Sequence, residues 1–238
     1  MSTTLLALLL QGGPPLMTDD PGTPGDGRWE LNVAFTVEKF KDETLYEVPL
    51  LDVNYGLGER IQLKIEAPWL LRHETPGPDE SELGNVLLGV KYRFLDQDTS
   101  ELDVSCYPQA ELRASARSRR AGLVGEGMSL ALPFQASRDV GPVALNAEVG
   151  YVLVEEEEDA WIWGVAAGRD LVEGVEILGE IHGESGAGFH HGEFVWNAGA
   201  RVELSEGSTL LISAGRGFRG ESHAEPRLIG YLGLQFNF

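Results

Sequence analysis

Up to its last residue the chain alternates between two kinds of side chain. Gly230, Leu232, Leu234, Phe236 and Phe238 are apolar or small, and Tyr231, Gly233, Gln235 and Asn237 between them are polar or small. Period-two alternation is the signature of a strand whose two faces meet different surroundings. A soluble β-domain packs the apolar face on a core. A membrane barrel turns it to lipid and turns the polar face to the lumen. The two cases differ in how often the pattern recurs and in what joins the runs.

The pattern recurs along the whole chain. Trp29, Leu31, Val33, Phe35 and Val37 alternate with Glu30, Asn32, Ala34, Thr36 and Glu38. Ile61, Leu63, Ile65, Ala67 and Trp69 alternate with Gln62, Lys64, Glu66 and Pro68. Val86, Leu88, Val90, Tyr92 and Phe94 stand against Asn85, Leu87, Gly89, Lys91 and Arg93. Similar runs cover 102–113, 143–151 and 193–203, and less regular ones cover 45–55, 160–169 and 208–218. About twelve strands result, an even number as single-chain bacterial barrels have. No segment of ~18 consecutive apolar residues exists, so no transmembrane helix is expected. Between residues 28 and 238 no helical apolar stripe, linker or second domain is evident.

The connections point the same way. With the N-terminus on the periplasmic side, the even-numbered ones are tight turns at 56–59, 138–141 and 205–208. The odd-numbered ones at 71–84, 114–127 and 184–192 are long. Short periplasmic turns and long extracellular loops belong to outer-membrane barrels. Trp69, Trp161, Trp163, Phe194 and Trp196 fall at one set of strand ends, and Trp29, Tyr55, Phe94 and Phe238 at the other. These are the two aromatic belts of a membrane barrel. The fold class expected is therefore all-β: a transmembrane, antiparallel, up-and-down barrel over 28–238 in the bacterial outer membrane. Its surroundings would be outer-membrane lipid and lipopolysaccharide. The C-terminal Phe238 on an alternating strand resembles the sorting signal read by the barrel-assembly machinery.

The N-terminus divides in two. Thr4-Leu5-Leu6-Ala7-Leu8-Leu9-Leu10 looks like a signal-peptide core, without a basic n-region or a clear cleavage site, so residues 1–13 are expected to be a signal peptide. Residues 14–27 are expected to be an N-terminal periplasmic segment. Formal net charge is −20, from 18 Lys and Arg against 38 Asp and Glu. Nucleic acid is a poor partner for such a chain, because phosphate binding needs a basic patch. The single cysteine, Cys106, rules out an intramolecular disulfide and reads as a small strand residue.

Several segments resemble one known barrel family. They are Pro14-Pro15-Leu16-Met17-Thr18-Asp19-Asp20-Pro21-Gly22-Thr23-Pro24-Gly25 with Trp29-Glu30-Leu31-Asn32, Glu47-Val48-Pro49-Leu50-Leu51-Asp52-Val53-Asn54-Tyr55-Gly56, and Leu87-Leu88-Gly89-Val90-Lys91-Tyr92-Arg93-Phe94. Tyr107-Pro108-Gln109, Ala214-Gly215-Arg216-Gly217 and Gly230-Tyr231-Leu232-Gly233-Leu234 add to them. Together they resemble the family labelled "MetA-pathway of phenol degradation". The resemblance implies a transporter-like outer-membrane protein linked by name to aromatic compounds. It supplies no catalytic or binding residues.

Parity assigns the lumen-facing candidates: Lys64, Glu66, Lys91, Arg93, Glu111, Arg113, Glu148, Glu176, Glu180, His182 and Arg201. Further acids on the same face are Glu30, Glu38, Asp52, Asp103 and Glu203. Buried charge must be hydrated or paired. Two readings follow: a hydrated, mildly cation-selective pore, or a salt-bridge network that plugs the barrel. The polar face offers little apolar surface for an aromatic solute. Pro49, Pro68, Pro108 and Pro133 would mark bulges, strand ends or a lateral gap.

No cofactor or metal site is expected, and the chain is read as non-enzymatic. His182 and Ser185 fall on opposite parity, which argues against the Ser–His pair of a lipid hydrolase. His190-His191-Gly192-Glu193 lacks a metal-binding spacing, and Glu155-Glu156-Glu157-Glu158-Asp159 reads as a charged hairpin tip. Passive transport of a small molecule is the leading function. A structural barrel with a plugged lumen is the alternative.

Overall fold

Alternating runs this long can satisfy every backbone group only by pairing with neighbours, and a closed sheet leaves no open edge. The computed structural model describes residues 13–113, 115–189, 192–219 and 225–238. It shows that closure. The strands are β1 (Trp29–Lys39), β2 (Glu43–Leu57), β3 (Ile61–Glu74), β4 (Glu80–Leu83), β5 (Val86–Leu95), β6 (Asp103–Cys106), β7 (Gln109–Leu112), β8 (Ser129–Val140), β9 (Val143–Val154), β10 (Ala160–Val172), β11 (Val175–Gly186), β12 (Gly192–Ser205), β13 (Ser208–Gly217) and β14 (Leu228–Asn237). All pair antiparallel with their neighbours. β4 and β5 share one stave beside β3, and β6 and β7 share the next, beside β8. The result is a closed barrel of twelve staves. β1 closes onto β14, with Trp29 and Phe238 exchanging both backbone hydrogen bonds.

Two short helices depart from the all-strand expectation: α1 (Gln97–Ser100), capped by Asp96, and α2 (Ala116–Arg120), capped by Ser115. The loop expected over 71–84 is shorter than its sequence suggests. Pairing of Trp69–Arg72 with Glu80–Leu83 carries the wall through it. Strand β11 likewise extends to Gly186. The histidines 190–191 and residues 1–12 of the expected signal peptide lie outside the described residues.

The prolines open no gap in the wall. Val90 donates its amide to the Pro108 carbonyl and Tyr107 to the Pro133 carbonyl, so the ladder continues past the break between β6 and β7. Pro49 sits in a bulge between Glu47 and Leu50, and Pro68 pairs opposite Leu50 at that bulge. A bulge places proline where no ladder donor is needed.

Burial along the strands is inverted relative to a soluble sheet. In β3, Gln62, Lys64, Glu66 and Pro68 are buried, while Leu63, Ile65 and Trp69 are exposed. Val90, Phe134, Val149, Val165, Ile181, Trp196, Ile212 and Leu232 are exposed on the other staves. An apolar girdle this extensive requires an apolar surrounding. Rings gather at both rims: Trp29 against Tyr55 at 4.7 Å, and Tyr151 against Trp161 at 4.8 Å with Phe189 beyond.

One test of sidedness follows. In a Cys106→Ser background, cysteines at Leu63, Val90 and Leu145 should react with a lipid-partitioning maleimide and resist a charged one. A cysteine at Arg201, which is half-buried near one mouth, should show the reverse preference. Equal labelling of both sets by both reagents would reject the membrane barrel.

Candidate functional site

The end of the barrel that holds Trp29 and Phe238 is called the near end. The interior is not an open tube. Residues 13–27 precede β1, and their first half runs inside the barrel. The Pro14 carbonyl accepts from Arg201 at 3.1 and 3.2 Å, and the Pro15 carbonyl from Ser213 at 2.7 Å. Deeper in, the amides of Met17 and Thr18 donate to the Glu180 carboxylate at 2.7–3.1 Å. The chain then turns back. Asp19 pairs with Lys91 at 3.1 Å, and the Asp20 carbonyl accepts from the same Nζ at 2.6 Å. Thr23 and Asp26 reach the near-end turn between β2 and β3. The segment expected to be periplasmic is thus a U-shaped insertion for part of its length, with both arms at the near end.

Each contact has a local cause. Four prolines in 14–24 deny the segment a regular helix or ladder. Its carbonyls and amides must therefore find side-chain partners, and inward Glu180, Lys91, Arg201 and Ser213 supply them. Gly164 makes room: a Cβ there would collide with the Thr18 hydroxyl. Burial raises the Asp19 carboxyl above its ordinary range despite Lys91. Burial also pushes on Asp20, but the charges of Lys91 and Arg201 and the Gly22 amide outweigh it and hold that carboxyl low.

A second insertion lies at the far end. α2 and the residues after it fold onto the inner wall. Leu123 and Val124 pack on Leu70 and Leu45, Arg72 donates to the Ala121 and Gly122 carbonyls, and Ser118 donates to the Leu83 carbonyl. Arg117 reaches Glu82 at 3.6 Å. Leu123→Ala should cost this loop about 2–5 kcal/mol of packing. Trypsin should then cut at Arg117, Arg119 or Arg120 severalfold faster, with the barrel intact on a gel. An unchanged cleavage rate would mean that Leu123 does not anchor the loop.

The residues singled out by parity fall in three groups. Lys64, Glu66, Lys91, Glu148, Glu180 and His182 are buried. Lys64 bridges Glu66 at 2.8 Å and Asp52 at 3.5 Å. Lys91 also lies over the Tyr107 ring, 4.7 Å from its centroid. Glu148 accepts from Gln135, which accepts from Ser105. His182 lies beside Thr18, and among the described residues neither His182 Nδ1 nor the Thr18 hydroxyl has a hydrogen-bond partner. Glu111, Glu176 and Arg201 are half-buried: Glu111 accepts from Asn85 and Ser129, and Arg201 bridges Glu176 at 3.1 Å. Arg93 and Arg113 sit towards the mouths. Arg93 lies near Asp96 and Asp103, and Arg113 bridges Glu155 at 2.7 Å on the rim. Among the described residues Ser185 Oγ likewise has no hydrogen-bond partner, so it makes no bonded pair with His182.

Three features escaped the sequence. The inner face is more apolar than its charges suggest: Leu87, Ala131, Val152, Ala160 and Ile162 form one buried patch, and Ala34, Leu50, Leu211 and Tyr231 another. Leu50 shares the inward parity of Asp52, and the bulge after Glu47 turns Glu47 inward as well. The two insertions were also missed. The proline-rich composition of 14–24 is the one signal that this stretch is held somewhere specific.

Two cavities lie between the N-terminal insertion and the wall. One, of about 250 Å³, opens around Asp20, Glu30, Asp52, Lys64, Lys91 and Arg201 in the near half. The other, of about 30 Å³, lies under Leu16 and Met17 against Ile229 and Tyr231.

No protein-family model and no curated protein sequence matches the chain. Solved structures do. The COG4313 outer membrane channel from Pseudomonas putida F1 superposes with a TM-score of 0.75 at 13% identity, over 92% of this chain and 98% of that one. The KdgM porin gives 0.63 at 8% identity, over 88% and 99%. The NanC porin gives 0.62 at 10% identity, over 87% and 98%. The chain therefore has the fold of outer-membrane channels and porins.

Proposed function

We propose that the chain is a bacterial outer-membrane channel for small solutes, held closed by its own residues 13–22. The supporting observation is how that segment is held. Its contacts are mainly backbone groups bonded to Glu180, Lys91, Arg201 and Ser213. Water can replace each of them if the segment leaves. A permanent plug would be expected to seal itself with apolar packing. The near end would face the periplasm, where the tight turns lie, and the far end the outside, amid lipopolysaccharide. The barrel-assembly machinery would read Phe238 during biogenesis.

The inward candidates would line the path, with Lys64, Lys91 and Arg201 at the near cavity. The patch around Ile162 gives an aromatic solute one apolar surface, which keeps aromatic compounds among the solutes to test. A structural barrel with no transport is the second reading, favoured by the second insertion packed on the far-end inner wall. Liposome swelling with sugars, aromatic acids and phenols separates the two. Solute-dependent swelling supports the channel. No swelling by the native chain or by one lacking residues 13–22 rejects it.

A further inference from the structure

At the far end the inner wall carries an arc of carboxylates. Glu184 on β11 stands directly opposite Glu193 on β12 in the ladder. Like charges in that position destabilise a sheet unless something lies between them. Glu225 follows at the top of β13, its side chain against Gly217. Glu38 on β1 and Glu47 on β2 complete the arc, with Thr36 donating to Glu47 at 2.8 Å.

Glu38 is the centre. It is 4% exposed, with no hydrogen bond and no ion pair to it among the described residues. The charged groups that act on it most are Glu47, Glu193, Glu184 and Glu43, all acids. Of these, Glu43 has Arg72 at 4.0 Å. Of the basic residues on the same strands, Lys39 and Arg216 lie on the exposed face, Arg201 lies inward at the near end on Glu176, and His182 lies inward beside Thr18. A buried carboxylate aimed at other carboxylates is expensive unless a positive group joins it.

The spacing says what kind of cation fits. Among the described residues, no three acids, histidines or cysteines stand close enough to hold a metal ion. From β11 to β1 the arc crosses four interstrand steps, about 19 Å along the wall. A compact ion would reach one carboxylate and not the others. A chain of ammonium groups separated by methylenes can reach several, and its methylenes can lie on Ile229 beside Glu38.

We propose that this far-end arc, centred on Glu38 and including Glu47, Glu184, Glu193 and Glu225, binds a linear organic polycation of the di- and polyamine class. The proposal deepens the channel reading, and rests on it for the far end being the outward mouth. The binding itself needs no conduction, so the two fail separately.

The test is calorimetric titration of the purified full-length barrel in detergent with spermidine. Saturable binding is expected, weakened at least tenfold by Glu38→Gln with Glu184→Gln and Glu193→Gln. Glu38→Asp, which keeps the charge, should retain most of it. Glu173→Gln with Glu206→Gln, at exposed near-end turns, should leave it unchanged. The heat-dependent gel shift of folded barrels checks that each variant is closed. Absence of saturable binding, equal weakening by the turn variants, or competition by magnesium as strong as by spermidine at matched ionic strength would each overturn the site. A barrel that conducts but does not bind spermidine would overturn only the site. One that binds but never conducts would overturn only the channel.

Discussion

A chain that begins at Thr23, carried by any export signal, should conduct at least an order of magnitude more than the intact chain in planar bilayers, since barrels of this size have room for a pore once unfilled. The segment removed holds the Glu180 carboxylate through two backbone amides, and among the described residues leaves Asn197 as its remaining donor. Hydrogen bonds to a charged group contribute about 1.5–3 kcal/mol each, so these two carry much of the attachment. Glu180→Ala should therefore open the channel part-way, because both amides then lose their acceptor inside the barrel. Gly164→Val should do the same from the opposite wall. Its new side chain would occupy the space of the Thr18 hydroxyl, while the strand backbone keeps its pairing with His182. Three changes at separate places would thus converge on one conductance. If all three leave the barrel silent while it remains folded, the segment is not what closes it.

The same contacts decide between the two readings of the inward charge. Glu176 is bridged by Arg201, but Glu180 is bridged by no cation and serves the inserted segment instead. Neutralising the two should have different results: a loosened near-end bridge for Glu176, and an opened lumen for Glu180.

Strand parity carried most of the wall. It separates Lys64 from Leu63 and Lys91 from Val90 because a residue's side is fixed by the pleat and needs no partner to define it. It failed where the pleat is broken. The bulge between Glu47 and Leu50 brings Glu47 inward against the parity of Leu50 and Asp52, and the stave of β6 and β7 is interrupted at Tyr107 and Pro108. What fills a barrel is a different matter. That Pro14 meets Arg201, or Leu123 meets Leu70, depends on contacts far apart in sequence that no local period encodes. The far-end arc was hidden for a similar reason. Glu184 lay within what read as a loop, until strand pairing carried β11 through it and set it opposite Glu193.

Changing Phe238 to Ala should lower the amount of folded barrel in the outer membrane severalfold, yet leave the melting of whatever barrel is refolded in detergent nearly unchanged. Two roles of this residue can be separated because they use different atoms. Its backbone closes the barrel: the Phe238 amide donates to the Trp29 carbonyl at 3.1 Å, and the Trp29 amide donates to the Phe238 carbonyl at 2.8 Å. Its ring is 69% exposed and packs on little of the wall. Truncating the ring keeps both seam bonds and removes little buried area, so the fold should lose well under the ~3–5 kcal/mol typical of a buried Phe. Deleting the residue breaks both seam bonds as well and should fail in the cell and in the tube alike. Leu211→Ala supplies the opposite control, because Leu211 is fully buried against Ala34, Leu50 and Tyr231. That change should lower the melting temperature and reduce assembly only in proportion. A Phe238→Ala barrel that is depleted in cells but melts normally assigns the exposed ring to recognition by the assembly machinery. One that melts as poorly as Leu211→Ala would make the ring an ordinary packing group, and the C-terminal signal would be lost from the account.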